Sequence, residues 1–88
     1  MKFFAAILRM KDVNLSQELR PRHVEFLDRG GKAGTVYARG RFEDGSGGLV
    51  IYRAESLAEA QKIAQSDPYI SGGARSLELH EWNMKVSQ

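Results

Sequence analysis

Residues Lys2 to Met10 carry apolar side chains at both parities, with Phe4, Ala6 and Leu8 on one side and Phe3, Ala5 and Ile7 on the other. Side chains of a strand alternate between its faces, so this segment predicts a strand that needs cover on both. Leu49-Val50-Ile51-Tyr52 has the same character. Two other segments alternate. Thr35 to Phe42 sets Val36, Ala38, Gly40 and Phe42 against Thr35, Tyr37, Arg39 and Arg41; Arg75 to Met84 sets Leu77 and Leu79 against Ser76, Glu78, His80 and Trp82. The pattern predicts two central strands, the first and third, and two amphipathic edge strands, the second and fourth.

Helices fill the intervals. Asp12 to Arg20 is polar and reads as a loop, with a short turn around Leu15 to Leu19. Proline suits a first helical position, so Pro21 opens a helix to about Arg29, with Val24, Phe26 and Leu27 as its apolar stripe and Gly30-Gly31 as its stop. Glu43 to Gly48 is a turn composition that predicts a hairpin between the second and third strands. Ser56-Leu57-Ala58-Glu59 is a capping box opening a second helix, with Leu57, Ala60, Ile63 and Ala64 on one side, and that helix ends before Pro68. The order β-α-β-β-α-β predicts an α+β, ferredoxin-like fold with a four-stranded antiparallel sheet. Two helices cover only one face of such a sheet. The apolar second face of the central strands therefore predicts a homodimer whose sheets pack face to face, in the manner of a dimeric α/β barrel.

With 88 residues the chain holds one core and one domain. Its 13 basic and 11 acidic side chains are interspersed, which gives none of the basic stripe of a nucleic-acid binder. There is no cysteine, hence no disulfide framework or thiolate nucleophile. The apolar run Phe3 to Leu8 is too short for a signal peptide or a membrane span, which makes the cytoplasm the default expectation and a membrane partner unexpected. No HxH or HxxxH spacing and no acidic cluster occurs, so no metal is expected.

His23 is the first candidate for chemistry. If Pro21 opens the helix, His23 sits in the first turn, beside the positive end of the helix dipole, where neutral imidazole is favoured and can accept a proton. Arg20 and Arg22 oppose that dipole, and an anionic partner would resolve the conflict. Taken alone, a histidine here packs or caps, and the arginines are solvated. Asp67 is the second candidate. Asp67-Pro68-Tyr69 reads by itself as a helix terminator with an Asx-type turn, yet a carboxylate there can orient an imidazole by accepting its other N–H. Gly45-Ser46-Gly47-Gly48 lacks phosphate-loop spacing and is a hairpin loop. Arg39-Gly40-Arg41-Phe42 echoes an RNA-binding motif on the wrong strand. Trp82 reads as packing.

Taken together, these pieces resemble the YCII-related (YciI-like) family. The resemblance runs over nearly the whole chain: the opening strand, Arg20-Pro21-x-His23, Gly40 and Phe42 before the hairpin, Ser56 to Ala60, Asp67-Pro68-Tyr69, Gly73, and Trp82 in the last strand. Arg41 and Glu81 stand where prolines are usual in that family. The resemblance implies a homodimer without cofactor and an active site built on His23 and Asp67. It also implies lyase- or isomerase-type chemistry on small aromatic or lactone compounds. Arg20, Arg41 and Tyr69 are the expected substrate-binding residues. Three functions remain distinct at this point: a cofactor-free enzyme, a metabolite-binding accessory domain, and a structural dimerisation module in which His23 and Asp67 never meet.

Overall fold

A computed structural model describes residues 1–87. Its elements are β1 (Lys2–Met10), α1 (Val13–Ala33), β2 (Val36–Arg41), β3 (Gly47–Ala54), α2 (Leu57–Gln65), α3 (Pro68–Ser71) and β4 (Arg75–Trp82). The four strands form one antiparallel sheet in the order β2-β3-β1-β4, so the two doubly apolar strands are central, as expected. This is the ferredoxin-like arrangement with one added short helix. No helix among the described residues is long and apolar enough to cross a membrane.

The largest departure from the sequence reading is α1. It begins at Val13, capped by the Asp12 carboxylate, which accepts from the Leu15 amide at 3.0 Å. The segment expected to be a loop is helical because Leu15 and Leu19 pack against the core at helical spacing. Pro21 therefore lies inside the helix, where its ring tolerates the helical φ but leaves the Gln17 carbonyl without its usual donor. Gly30-Gly31 does not stop the helix either; Gly34 caps it, and its amide donates to the Gly30 carbonyl. Gly30 instead allows close approach to β2, since a Cβ there would lie 2.5 Å from Val36 Cγ2. The proline rule holds elsewhere: Pro68 opens α3, and Asp67 caps it.

Phe4, Ala6 and Leu8 of β1 meet Val50, Tyr52 and Ala54 of β3 beneath the helices and are almost wholly buried. At the second strand the two-residue alternation fails. A bulge between Val36 and Ala38 inserts Tyr37 as an extra residue, so Arg39 and Arg41, paired with Val50 and Gly48, share the helix-side face with Val36. Strict alternation from Val36 would set both arginines on the opposite face. The bulge turns two cations towards the space beside α1.

Candidate active site

Two backbone hydrogen bonds and one close helix crossing bring the site together. The Lys11 and Asp12 amides donate to the Ala74 carbonyl at 3.1 and 3.0 Å, which joins the start of α1 to the entrance of β4. Further along, α1 crosses α3 closely: a Cβ on Gly72 would lie 2.5 Å from Leu19 Cδ1. One helical turn beyond Leu19, His23 faces the start of α3.

There His23 Nδ1 donates to Asp67, with both carboxylate oxygens near it at 2.8 and 2.9 Å. Asp67 is fully buried and also accepts from the Tyr69 amide at 2.9 Å. Its fixed geometry comes from α3, whose N-cap it is. With the proton on Nδ1, Nε2 keeps its lone pair, and it has no hydrogen-bond partner among the described residues. The helix dipole does not favour the neutral imidazole here as expected, because His23 lies mid-helix and well past the N-terminus of α1. The buried carboxylate sets its orientation instead.

The Tyr69 ring stacks on His23 with centroids 3.8 Å apart, and the Arg75 guanidinium carbon lies 4.2 Å from the same ring's centroid. Two planar groups cannot share one ring face at these distances, so Tyr69 is sandwiched between them. Arg75 is tethered in turn: its Nε and Nη2 donate to Ser16 Oγ at 3.2 and 3.1 Å. Ser16, in the first turn of α1, is buried. Beneath the site the Tyr52 hydroxyl is buried without a partner among the described residues. Burial, and then the charge of Asp67, push its ionisation above the ordinary value of 10.0.

A cavity of about 300 Å³ opens against this stack. His23, Tyr69, Arg20, Arg41 and Arg75 line it, together with Arg39, over a floor of Leu8 and Val50. No acidic residue lines it. Such a space combines an apolar floor, one imidazole nitrogen and an excess of positive charge, the properties that suit a small anionic or polarisable ring. Among the described residues there is no cluster of three His, Cys, Asp or Glu side chains able to hold a metal ion.

His23 and Asp67 are thus in direct contact, and Arg20, Arg41 and Tyr69 line the same cavity. Arg22 is exposed and does not line it. Sequence reasoning passed over Arg75 and Ser16. The signal for Arg75 was present: it shares strand parity with Leu77 and Leu79, which makes it a cation on the apolar side of β4.

The family model of the YCII-related domain matches residues 1–83. The chain belongs to this family. It is 35% identical over 79 residues to the uncharacterised protein YjpA of Bacillus subtilis (strain 168), covering 90% of this chain and 93% of that one. Its fold is similar to that of 5-chloro-2-hydroxyhydroquinone dehydrochlorinase from Burkholderia phenoliruptrix AC1100, solved in complex with 2,5-dihydroxybenzoquinone. That match has a TM-score of 0.78 and 17% identity, over 94% of this chain and 95% of the other.

Proposed function

We propose that the protein is a cofactor-free enzyme of the lyase or isomerase type, acting on a small anionic or phenolic metabolite. The observation that carries this reading is the pairing of His23 Nδ1 with a fully buried carboxylate, which leaves Nε2 as the nitrogen able to exchange a proton. In the proposed step Nε2 takes a proton from an acidic C–H or O–H of the substrate. The electron pair left behind moves into the ring or expels a leaving group, and the imidazolium returns its proton to substrate or water. Asp67 holds the ring in the required tautomer and stabilises the imidazolium. Arg20 and Arg41 attract the substrate's negative charge, and Tyr69 keeps the imidazole plane fixed. The dehydrochlorination named for the protein of similar fold is one reaction of this kind, and it makes hydroxylated and chlorinated hydroquinones the first compounds to assay.

The uncovered side of the sheet supports a homodimer. Phe3, Ala5, Ile7 and Leu49 lie there half-buried, with Tyr37 and Trp82 exposed at its margins. A second copy packed on this face would bury them.

The test is turnover of the hydroquinone panel by the wild-type chain and by His23→Gln. The proposal expects product from the wild type and a loss of roughly 10²–10⁴-fold in the variant. Equal turnover by the variant would refute the role of His23. Binding without product by the wild type would make the chain a metabolite-binding accessory domain.

A further inference from the structure

On the reading just given the cavity receives an anion or a phenol, but four arginines border it and they are not equivalent. The Arg39 guanidinium is already paired with Asp28. Arg20 and Arg41 are exposed, so any geometry they adopt around a ligand must be fixed at the moment of binding, at an entropic cost. Of the three without a carboxylate partner, Arg75 alone is held beforehand. Its Nε–Nη2 edge is taken by Ser16, one face lies on Tyr69, and Nη1 lies 3.6 Å from where a Cβ on Gly48 would be, at the cavity wall. The edge formed by Nη1 and the second Nη2 hydrogen is left free. That planar two-donor edge matches a carboxylate.

We infer that Arg75, positioned by Ser16 and Tyr69, is the specificity-determining residue of this site and selects a one-ring substrate bearing a carboxylate. The spacing follows from the stack. Imidazole and guanidinium lie on opposite faces of Tyr69, so they are separated by at most the 3.8 and 4.2 Å contacts laid end to end. A ligand that offers a proton to His23 Nε2 and a carboxylate to Arg75 has to bridge a gap of that order, which one six-membered ring with its two substituents can span. A second cavity of about 270 Å³ borders Ser16, Arg20, Arg41, Tyr69 and Arg75, so Arg75 forms the shared wall, and no acidic residue lines that side either. Arg75 thus meets no acidic lining residue on either side.

The experiment is an NMR titration of the full chain with two probes, 4-hydroxybenzoate and 4-hydroxybenzyl alcohol, which share ring and phenol and differ in the carboxylate. The His23 ring and Arg75 Nε–H signals are followed. The inference expects 4-hydroxybenzoate to shift both signals and to bind at least about tenfold more tightly than the alcohol, as a charge-assisted pair requires. Arg75→Lys and Arg75→Gln should erase that preference. Ser16→Ala, which removes the tether and keeps the guanidinium, should reduce it, and Lys62→Gln, a charge loss on exposed α2, should leave it intact. A preference that survives both Arg75 variants, with His23 still responding, overturns the role of Arg75 and leaves the acid–base reading standing. A response at Arg75 with a silent His23 supports the anchor and counts against that reading. Silence at both residues overturns the two together.

Discussion

The two faces of the sheet come from the same strands and are buried to different degrees. Under the helices, Phe4, Ala6, Leu8, Val50 and Tyr52 are nearly inaccessible, and the site rests on them. On the other face Ile51 is nearly inaccessible too, but Phe3, Ala5, Ile7 and Leu49 are only partly buried, with Phe3 against Tyr37 at 5.0 Å and Arg53 above it at 5.9 Å. Polar pairs also sit on that face, where His80 and then Arg9 hold Glu78 below the usual carboxylate range. One chain therefore completes one core and leaves a second apolar layer unfinished. The helix-side face is a core that carries the proposed chemistry; the open face is the one proposed to receive another copy.

The strongest way to break that contrast is at Asp67. Asp67→Asn keeps the volume but turns the imidazole towards the wrong tautomer, and turnover should fall about 10³–10⁴-fold while the chain stays folded. Unchanged kcat would remove the helix-side face from the chemistry. Next comes the pair Phe4→Ala and Phe3→Ala. The first should cost about 3–5 kcal/mol in denaturant unfolding. The second should cost less in dilute solution, with a loss that grows with protein concentration if the proposed dimer covers Phe3. Equal, concentration-independent losses would mean that the two faces do not differ. Leu49→Lys, on the open face of β3, should halve the mass seen by light scattering at micromolar concentration. The unfolding free energy of the separated chain should change by no more than about 1 kcal/mol.

The smallest effect is at Tyr52. Its hydroxyl is buried and unpartnered, so Tyr52→Phe should leave stability at neutral pH unchanged or raise it by about 1 kcal/mol. Its ionisation is raised in the folded state, so the native chain holds the phenolic proton longer than the unfolded chain does. The corresponding stability is whole below pH about 10 and is lost as pH rises above it. Thermal melts from pH 8 to 11 should show the wild type losing stability more steeply than Tyr52→Phe. Parallel curves would contradict the burial of that hydroxyl.

What was legible in the sequence follows the same division. Strand parity revealed the doubly apolar β1 and β3, because a two-residue period maps directly onto faces. It could not reveal the bulge at Tyr37, since one inserted residue leaves composition unchanged and still moves Arg39 and Arg41 to the other side. Pro21 was misleading for an energetic reason. Proline in a helix interior costs about 3 kcal/mol, so the local rule reads it as a start. Here Leu15 and Leu19 pack into the core and Ser16 holds Arg75, contacts made only in the folded chain, and the helix runs through it. His23 and Asp67 were each visible as polar residues at suggestive places. Their meeting spans 44 residues and depends on the close crossing of α1 and α3, which no local pattern encodes.

The central claim is that Asp67 fixes the His23 tautomer so that Nε2 is free to take a proton. Long-range 1H–15N NMR of the histidine rings, recorded at a pH where His23 is neutral, tests it directly. The expected result is the His23 proton on Nδ1 and an unprotonated Nε2, with Asp67→Asn reversing the two. A proton on Nε2 in the wild-type chain would contradict it.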